Sequence, residues 1–246
     1  MSTIDLPQTD DPDRTRTGPD DVVRRVSAVA RSLSAEVGLQ PTLDRTVEQA
    51  VQLIDGCHSA GISLMVSKQR IETVALTDGI AREGDDRQYE LGEGPCLTAV
   101  RDAEIVWVPD LASDPRWPRW APWAVENLGV RSMLCIQLYT SADKHGALNL
   151  YSQERDGFPL ADHPVATMFA TVAAMALVSA RTTEQLQSAL HTRNIIGQAQ
   201  GIIMERYAVG SDQAFAVLSR VSQETNMKLN LVAAQVVAQR VIPGVA

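Results

Sequence analysis

The sequence is poor in aromatics, which make up 4% of it, and it has no run of 18 or more uninterrupted apolar residues. Its longest apolar-rich stretch, Val165 to Ala180, is interrupted by Thr167, Thr171 and Ser179 and is expected to be too short to span a bilayer. Met1 to Asp21 is acidic and polar and lacks the apolar segment of a signal peptide. The expectation is a cytoplasmic protein with no membrane partner. Cysteine is scarce as well: Cys57, Cys96 and Cys135 are an odd set with no CxxC pair, which predicts reduced thiols and no zinc site. GxGxxG, P-loop and HExxH patterns are absent, and no Ser–His–Asp set stands out. No catalytic residue and no metal ligand is assigned, and any cofactor is left unknown. His58, His145 and His163 are isolated and read as loop or cap residues.

What is present is 45% apolar and 21% charged, ordinary for a globular chain. The net charge of −8 argues against a protein that coats nucleic acid non-specifically. The charge is uneven, however. Residues 183–246 carry Arg193, Arg206, Arg220, Lys228 and Arg240 against Glu184, Glu205, Asp212 and Glu224, a net of +1, which leaves −9 for residues 1–182. Any contact with a polyanion is expected from the C-terminal part.

Periodicity divides the chain. Residues 1–20, rich in Asp, predict a disordered tail. Val22, Val23, Val26, Val29 and Leu33 then recur at helical spacing, and Leu43, Val47, Val51 and Ile54 do so again. The period then shifts toward two: Ala60–Val66 and Ile71–Leu76 read as strands, Ile105–Val108 is a short β-branched run, and Ser132–Tyr139 and Ala147–Tyr151 are the last strand candidates. Thr77–Gln88 reads as a polar stretch, Leu97–Arg101 as a short helix, and Asp114–Trp123 as loop or short helix. Strands between amphipathic helices predict an α+β domain over 21–180, an antiparallel sheet with flanking helices. A long helix from Asp162 and a three-helix unit over 181–246 complete the chain. Within the long helix, Phe169, Val172, Ala176, Ser179, Thr183, Leu186 and Leu190 follow the 4,3 spacing of a coiled-coil seam, which predicts a parallel homodimer. The alternative is two helices broken near Arg181–Thr183. Gly210 and Ser211 supply a stop and an N-cap, and Asn226 or Asn230 can cap the last helix.

Two stretches carry a family resemblance. LHTRNIIGQAQGIIM (Leu190–Met204) with SDQAFAVLSRVSQETNMKL (Ser211–Leu229) resembles the ANTAR domain, a three-helix RNA-binding module of bacterial transcription antiterminators. GEGPCLTAV (Gly92–Val100), VPDLASDPRWP (Val108–Pro118), GVRSMLCIQL (Gly129–Leu138) and GALNLYS (Gly146–Ser152) resemble GAF domains found upstream of ANTAR in actinobacterial regulators. The pairing implies a signal-responsive regulator that binds RNA stem-loops in nascent leaders. Because RNA is read through phosphates and unstacked bases, the implied contacts are Arg193, Gln198, Gln200, Arg206, Tyr207, Arg220 and Lys228. The family often has a lysine at the position of Gln200, and basic residues where this chain has Ser219, Met227 and Asn230; each missing cation removes roughly one phosphate contact.

Several of these residues also admit plainer readings. Arg206 and Arg220 could be solvated surface charges. Ala199, Gly201, Ala214 and Ala234 read as close-packing positions between helices. Trp107, Trp117, Trp120 and Cys96 are candidates to line a small-molecule pocket of the GAF-like domain; Trp117 and Trp120 could instead pin a loop to the sheet. Cys96 opens a short helix, and a GAF-type enzyme, the free methionine sulfoxide reductase, uses three cysteines. A thiol-dependent reductase and a DNA- or protein-binding module are therefore the alternatives to an RNA-binding regulator.

Overall fold

The computed structural model describes residues 19–67, 70–101, 104–141 and 144–241. The chain forms two compact units that meet at Ala180 and Arg181. The expected disordered tail lies outside the described residues except for Pro19 and Asp20, which open the first helix.

The first unit is a three-layer sandwich. Helices α1 (Pro19–Ala35) and α2 (Leu39–Leu53) precede the hairpin β1 (Ser59–Ser67) and β2 (Arg70–Leu76). Then come α3 (Gly79–Leu91), α4 (Pro95–Arg101), β3 (Ile105–Val108), α5 (Trp120–Leu128) and a second hairpin, β4 (Ser132–Ser141) and β5 (Lys144–Ser152). The sheet is antiparallel in the order β2-β1-β5-β4-β3. Alternation along each strand sorts side chains to its two faces. Ile62, Leu134, Ile136, Leu148 and Leu150 meet α1, α2 and the next helix in one apolar cluster. Val106, Val108, Met133, Cys135, Ala147 and Tyr151 meet α3, α4 and α5 in another.

The stretch Thr77–Gln88, read only as polar, is mostly helix. Asp78 caps α3 by accepting from the Ala81 N–H at 3.1 Å, and Gly92 ends it in the left-handed region at φ 68°. Its inward face is Ala81, Gly84, Asp85 and Gln88, small and polar where an apolar face would announce a helix.

Helix α6 (His163–Tyr207) is unbroken over 45 residues. It holds an 18-residue window of mean hydropathy 1.5, enough by length and composition to cross a membrane, contrary to the reading that no stretch sufficed. Its first turns nonetheless bury Ala166, Phe169, Ala170, Ala173 and Leu177 in the first apolar cluster. The expected heptad seam therefore begins inside the domain: Phe169 is fully buried and Val172 and Ala176 pack on the same cluster. Ser179, Thr183, Leu186 and Leu190 are exposed.

The second unit contains the rest of α6, α7 (Ser211–Thr225) and α8 (Leu229–Gln239), packed through Ala199, Ile203, Ala214, Leu218, Val221, Val232, Ala233 and Val236. Ala199 and Ala214 are buried close-packing positions, but Gly201 is exposed and Ala233, not Ala234, takes the buried place. Gly210, not Ser211, sits at the N-cap of α7, where its N–H donates to Gln213 Oε1 at 3.2 Å. Asn226 ends α7 in the left-handed region, which asparagine tolerates, and Lys228 precedes α8.

Candidate functional site

In the first unit, chemistry-bearing groups gather on the sheet face beneath α3 and α4. Period two places Ser63 of β1 and Asn149 and Tyr151 of β5 on that face, and helical spacing turns Asp85 and Gln88 of α3 toward it. Ser63, Asp85, Gln88, Asn149 and Tyr151 are buried. Asp85 is the hub. Its carboxylate accepts from Tyr151 Oη at 2.5 Å, Thr73 Oγ1 at 2.8 Å and Asn149 Nδ2 at 3.0 Å, and more distantly from Ser63 Oγ and Gln88 Nε2 at 3.4 Å. These partners are all neutral. Burial pushes the Asp85 carboxyl up to about 6, while the hydrogen bonds from Tyr151, Thr73, Asn149 and Ser63 pull it down.

Ser63 Oγ is the second hub, accepting from Tyr89 Oη at 2.7 Å, Asn149 Nδ2 at 2.9 Å and Cys96 Sγ at 3.2 Å. Asn149 Oδ1 is buried and finds no hydrogen-bond partner among the described residues. Gln88 Oε1 accepts from the Cys96 N–H at 2.8 Å, a contact that a side chain at Gly94 would obstruct. Burial, reinforced by the Asp85 charge, pushes the Cys96 thiol up to about 12, and burial does the same to Cys57. Burial raises the Cys135 thiol as well. A reactive cysteine needs the thiolate, and these surroundings suppress it. Among the described residues no group of three or more His, Cys, Asp and Glu could hold a metal ion.

The four residues expected to line a pocket do not share one face. Cys96, Trp117 and Trp120 belong to the cluster beneath α3–α5; Trp107 packs with the opposite cluster, edge-on to His163 with ring centroids 5.3 Å apart. Trp120 Nε1 donates to the Gly84 carbonyl at 3.0 Å and Trp117 carries Arg116 over its ring at 4.4 Å. Both hold the β3–β4 connection on the domain.

In the second unit the expected RNA contacts separate into two kinds. Arg193, Gln198, Tyr207, Arg220 and Lys228 are exposed; Arg220 lies 3.9 Å from Glu224 and Gln198 donates to Asn194 Oδ1 at 3.4 Å. Gln200 and Arg206 are engaged inside the unit. Gln200 Nε2 donates to the Ser211 carbonyl and hydroxyl, both at 3.2 Å, tying α6 to the start of α7. Arg206 donates to the Arg240 carbonyl at the end of α8. Arg193, Gln200 and Tyr207, seven residues apart, share one side of α6; Arg220 is on α7 and Lys228 at the turn before α8.

The sequence reading missed Ser63, Thr73, Asp85, Gln88, Tyr89, Asn149 and Tyr151. Two signals pointed to them: Asn149 interrupts the apolar run Ala147–Tyr151, and Ala81, Gly84, Asp85 and Gln88 recur at helical spacing.

The GAF domain family matches residues 36–178, more than half of the chain, and the ANTAR domain family matches residues 184–237. No curated protein matches the chain in sequence. Among solved structures it is similar to the free methionine-R-sulfoxide reductase of Neisseria meningitidis in complex with its substrate, with TM-score 0.53 and 15% identity over 67% of this chain and 92% of that one. It is similar to the GAF domain of a phosphoenolpyruvate-protein phosphotransferase from Coxiella burnetii, with TM-score 0.52 and 13% identity over 67% and 96%. The photosensory core module of a Stigmatella aurantiaca phytochrome matches with TM-score 0.58 and 12% identity over 89% of this chain and 47% of that one. At such identities the likeness shows the fold alone.

Proposed function

The chain belongs to the GAF family and carries an ANTAR domain behind its GAF domain; on that premise we propose that it is a cytoplasmic, signal-responsive regulator that binds RNA stem-loops in nascent leaders and promotes transcription antitermination. The observation that carries the reading is the order of the two matches, a signalling domain over 36–178 followed by an RNA-binding antitermination domain over 184–237.

In this reading Arg193, Arg220 and Lys228 meet phosphates, and Tyr207 and Gln198 meet unstacked loop bases. Gln200 and Arg206 contribute from behind, as braces that hold α7 and α8 against α6. The C-terminal unit has few cations, so a homodimer joined along α6 doubles the set and presents two units to paired stem-loops. The GAF domain, in this reading, responds to a small-molecule signal. The suppressed Cys96 thiolate favours a regulator over a thiol-dependent reductase.

A gel-shift competition tests the proposal. The full chain at low ionic strength should shift a labelled stem-loop RNA, and unlabelled stem-loop should displace it far better than duplex DNA. Equal displacement by duplex DNA, or no shift at all, overturns it.

A further inference from the structure

Within the first unit α6 presents two neighbouring sides to its surroundings. Ala166, Phe169, Ala173 and Leu177 fill the apolar cluster on the sheet. Beside them, at three- and four-residue spacing, run Thr167, Ala170, Thr171, Ala174 and Val178. This second side runs along the edge of the sheet, where β3 is the last strand and Ile105 stands opposite Ile136 across β3 and β4. Because the helix residues there are mostly alanine and threonine, a groove of about 640 Å³ stays open between helix and sheet edge. Every residue that lines it belongs to the first unit. Its floor, Ile105 and Ile136, is on the sheet face opposite the Asp85 cluster.

The groove leaves large apolar groups in water. Ile105 is 41% exposed, Val178 37% and Met175 68%, and all three line it. A lone exposed apolar side chain is ordinary, but several around one concavity mark a binding surface. Among the described residues that line the groove, Glu104 alone is ionisable. With a net charge of −8 on the whole chain, that carboxylate sets the local field against an anion.

We propose that this groove binds a neutral aliphatic molecule, of the class of a medium-chain alcohol or ester, laid along α6 between Ile105 and Val178. The site gives the proposed small-molecule signal a place and a chemical class, and so rests on that reading. Size supports the occupant. Ligand sites range over about 300–1,000 Å³, and the groove falls inside that range. Its stripe from Thr167 to Val178 runs about 17 Å at 1.5 Å per residue, the reach of an extended aliphatic chain. A protein partner is the poorer occupant: eleven residues line the groove, where a stable interface takes about 20–30 on each side. The hydroxyls of Thr167, Thr171 and Ser179 are the polar groups that α6 offers at the rim, and they suit an uncharged end group.

Isothermal titration calorimetry of the full chain with decanol, octanol and decanoate tests this. Decanol should bind saturably, one molecule per chain, and about tenfold more tightly than octanol, because two further methylenes leave water. Decanoate should bind several-fold more weakly than decanol. Thr171→Trp sets a large ring in the groove from an exposed position and should abolish decanol binding; Met168→Trp, exposed on the same helix but outside the groove, should not. Val178→Glu, at a second exposed position of the lining, should weaken binding at least tenfold. Circular dichroism should be unchanged in all three variants. No binding, uptake without saturation, decanoate binding more tightly than decanol, or full binding by Thr171→Trp overturns the proposal. So does a native oligomer that Thr171→Trp dissociates and decanol does not enter, which would make the groove an interface between copies. Stem-loop binding measured on the same samples separates the two claims: a chain that takes decanol but ignores RNA defeats the regulator alone, and one that binds RNA but takes no decanol defeats the groove alone.

Discussion

Tyr151 Oη donates to Asp85 Oδ1 at 2.5 Å, and both side chains are wholly buried. Every described hydrogen-bond partner of that carboxylate is a neutral hydroxyl or amide, so its charge is held by dipoles alone. Asp85 titrates near 3.8 when unperturbed and at about 6 in the fold, where burial outweighs the hydrogen bonds. The folded state therefore binds this proton more tightly than the unfolded one. The resulting stabilisation is complete below 3.8 and is lost as pH rises through 6, a change of about 3 kcal/mol at most. Urea midpoints measured from pH 4 to pH 8 should fall for the native chain and stay flatter for Asp85→Asn. Parallel curves would show that the carboxylate does not titrate as stated.

Removing the strongest donor sharpens the same effect. Tyr151→Phe leaves Asp85 without its shortest hydrogen bond and takes a partner from Gln88 Nε2 at 3.4 Å. The loss of a buried hydrogen bond to a charged group costs about 1.5–3 kcal/mol. Because the phenol favours the ionised carboxylate, the cost should be larger at pH 8 than at pH 5. Thermal unfolding at the two pH values checks it; an equal loss at both would contradict the assignment.

The exposed cations and the braces of the C-terminal unit should respond differently. Arg193→Ala and Lys228→Ala should each weaken stem-loop binding and make the slope of log affinity against log salt shallower by about 0.7–0.9, with unfolding unchanged. Gln200→Ala should leave the salt slope alone and lower stability by about 1 kcal/mol, since it unties α6 from Ser211. A Gln200→Ala variant that is fully stable yet binds RNA with a shallower slope would mean that the side chain meets RNA and not the α7 start.

The cysteines offer a check on the regulator reading. Cys57, Cys96 and Cys135 are buried and burial raises all three thiols. Iodoacetamide at pH 7.5 should label none of them in the folded chain within the time that labels all three in urea. Rapid labelling of Cys96 under native conditions would reopen thiol chemistry.

Much of the fold was legible because it follows apolar periodicity. The strands Ser59–Ser67, Arg70–Leu76 and Ile105–Val108 are rich in apolar and β-branched residues, and α6 has no proline past its second residue to break it. Helix α3 was hidden because its inward side is Gly84, Asp85 and Gln88; a pattern that looks for apolar faces passes over a helix whose buried face is polar. The Asp85 cluster was hidden with it, since Ser63, Asp85 and Asn149 come together only when β1 and β5 pair at Gly61 and Asn149. Trp107 was grouped with Trp117 and Trp120 as an aromatic set, although it alternates with Val106 and Val108 and so faces the other way. The bracing roles of Gln200 and Arg206 could not be read, because their acceptors are backbone oxygens 11 and 34 residues away.

Ultraviolet cross-linking of the full chain in its native cell, followed by sequencing of the attached RNA, tests whether the C-terminal unit binds leader stem-loops. Transcript leaders in which paired stem-loops precede a terminator hairpin should be enriched, with that enrichment lost in an Arg193→Ala/Lys228→Ala chain expressed at the same level. RNA recovery no higher than from unirradiated cells, or recovery spread over transcripts without regard to stem-loops, would contradict it.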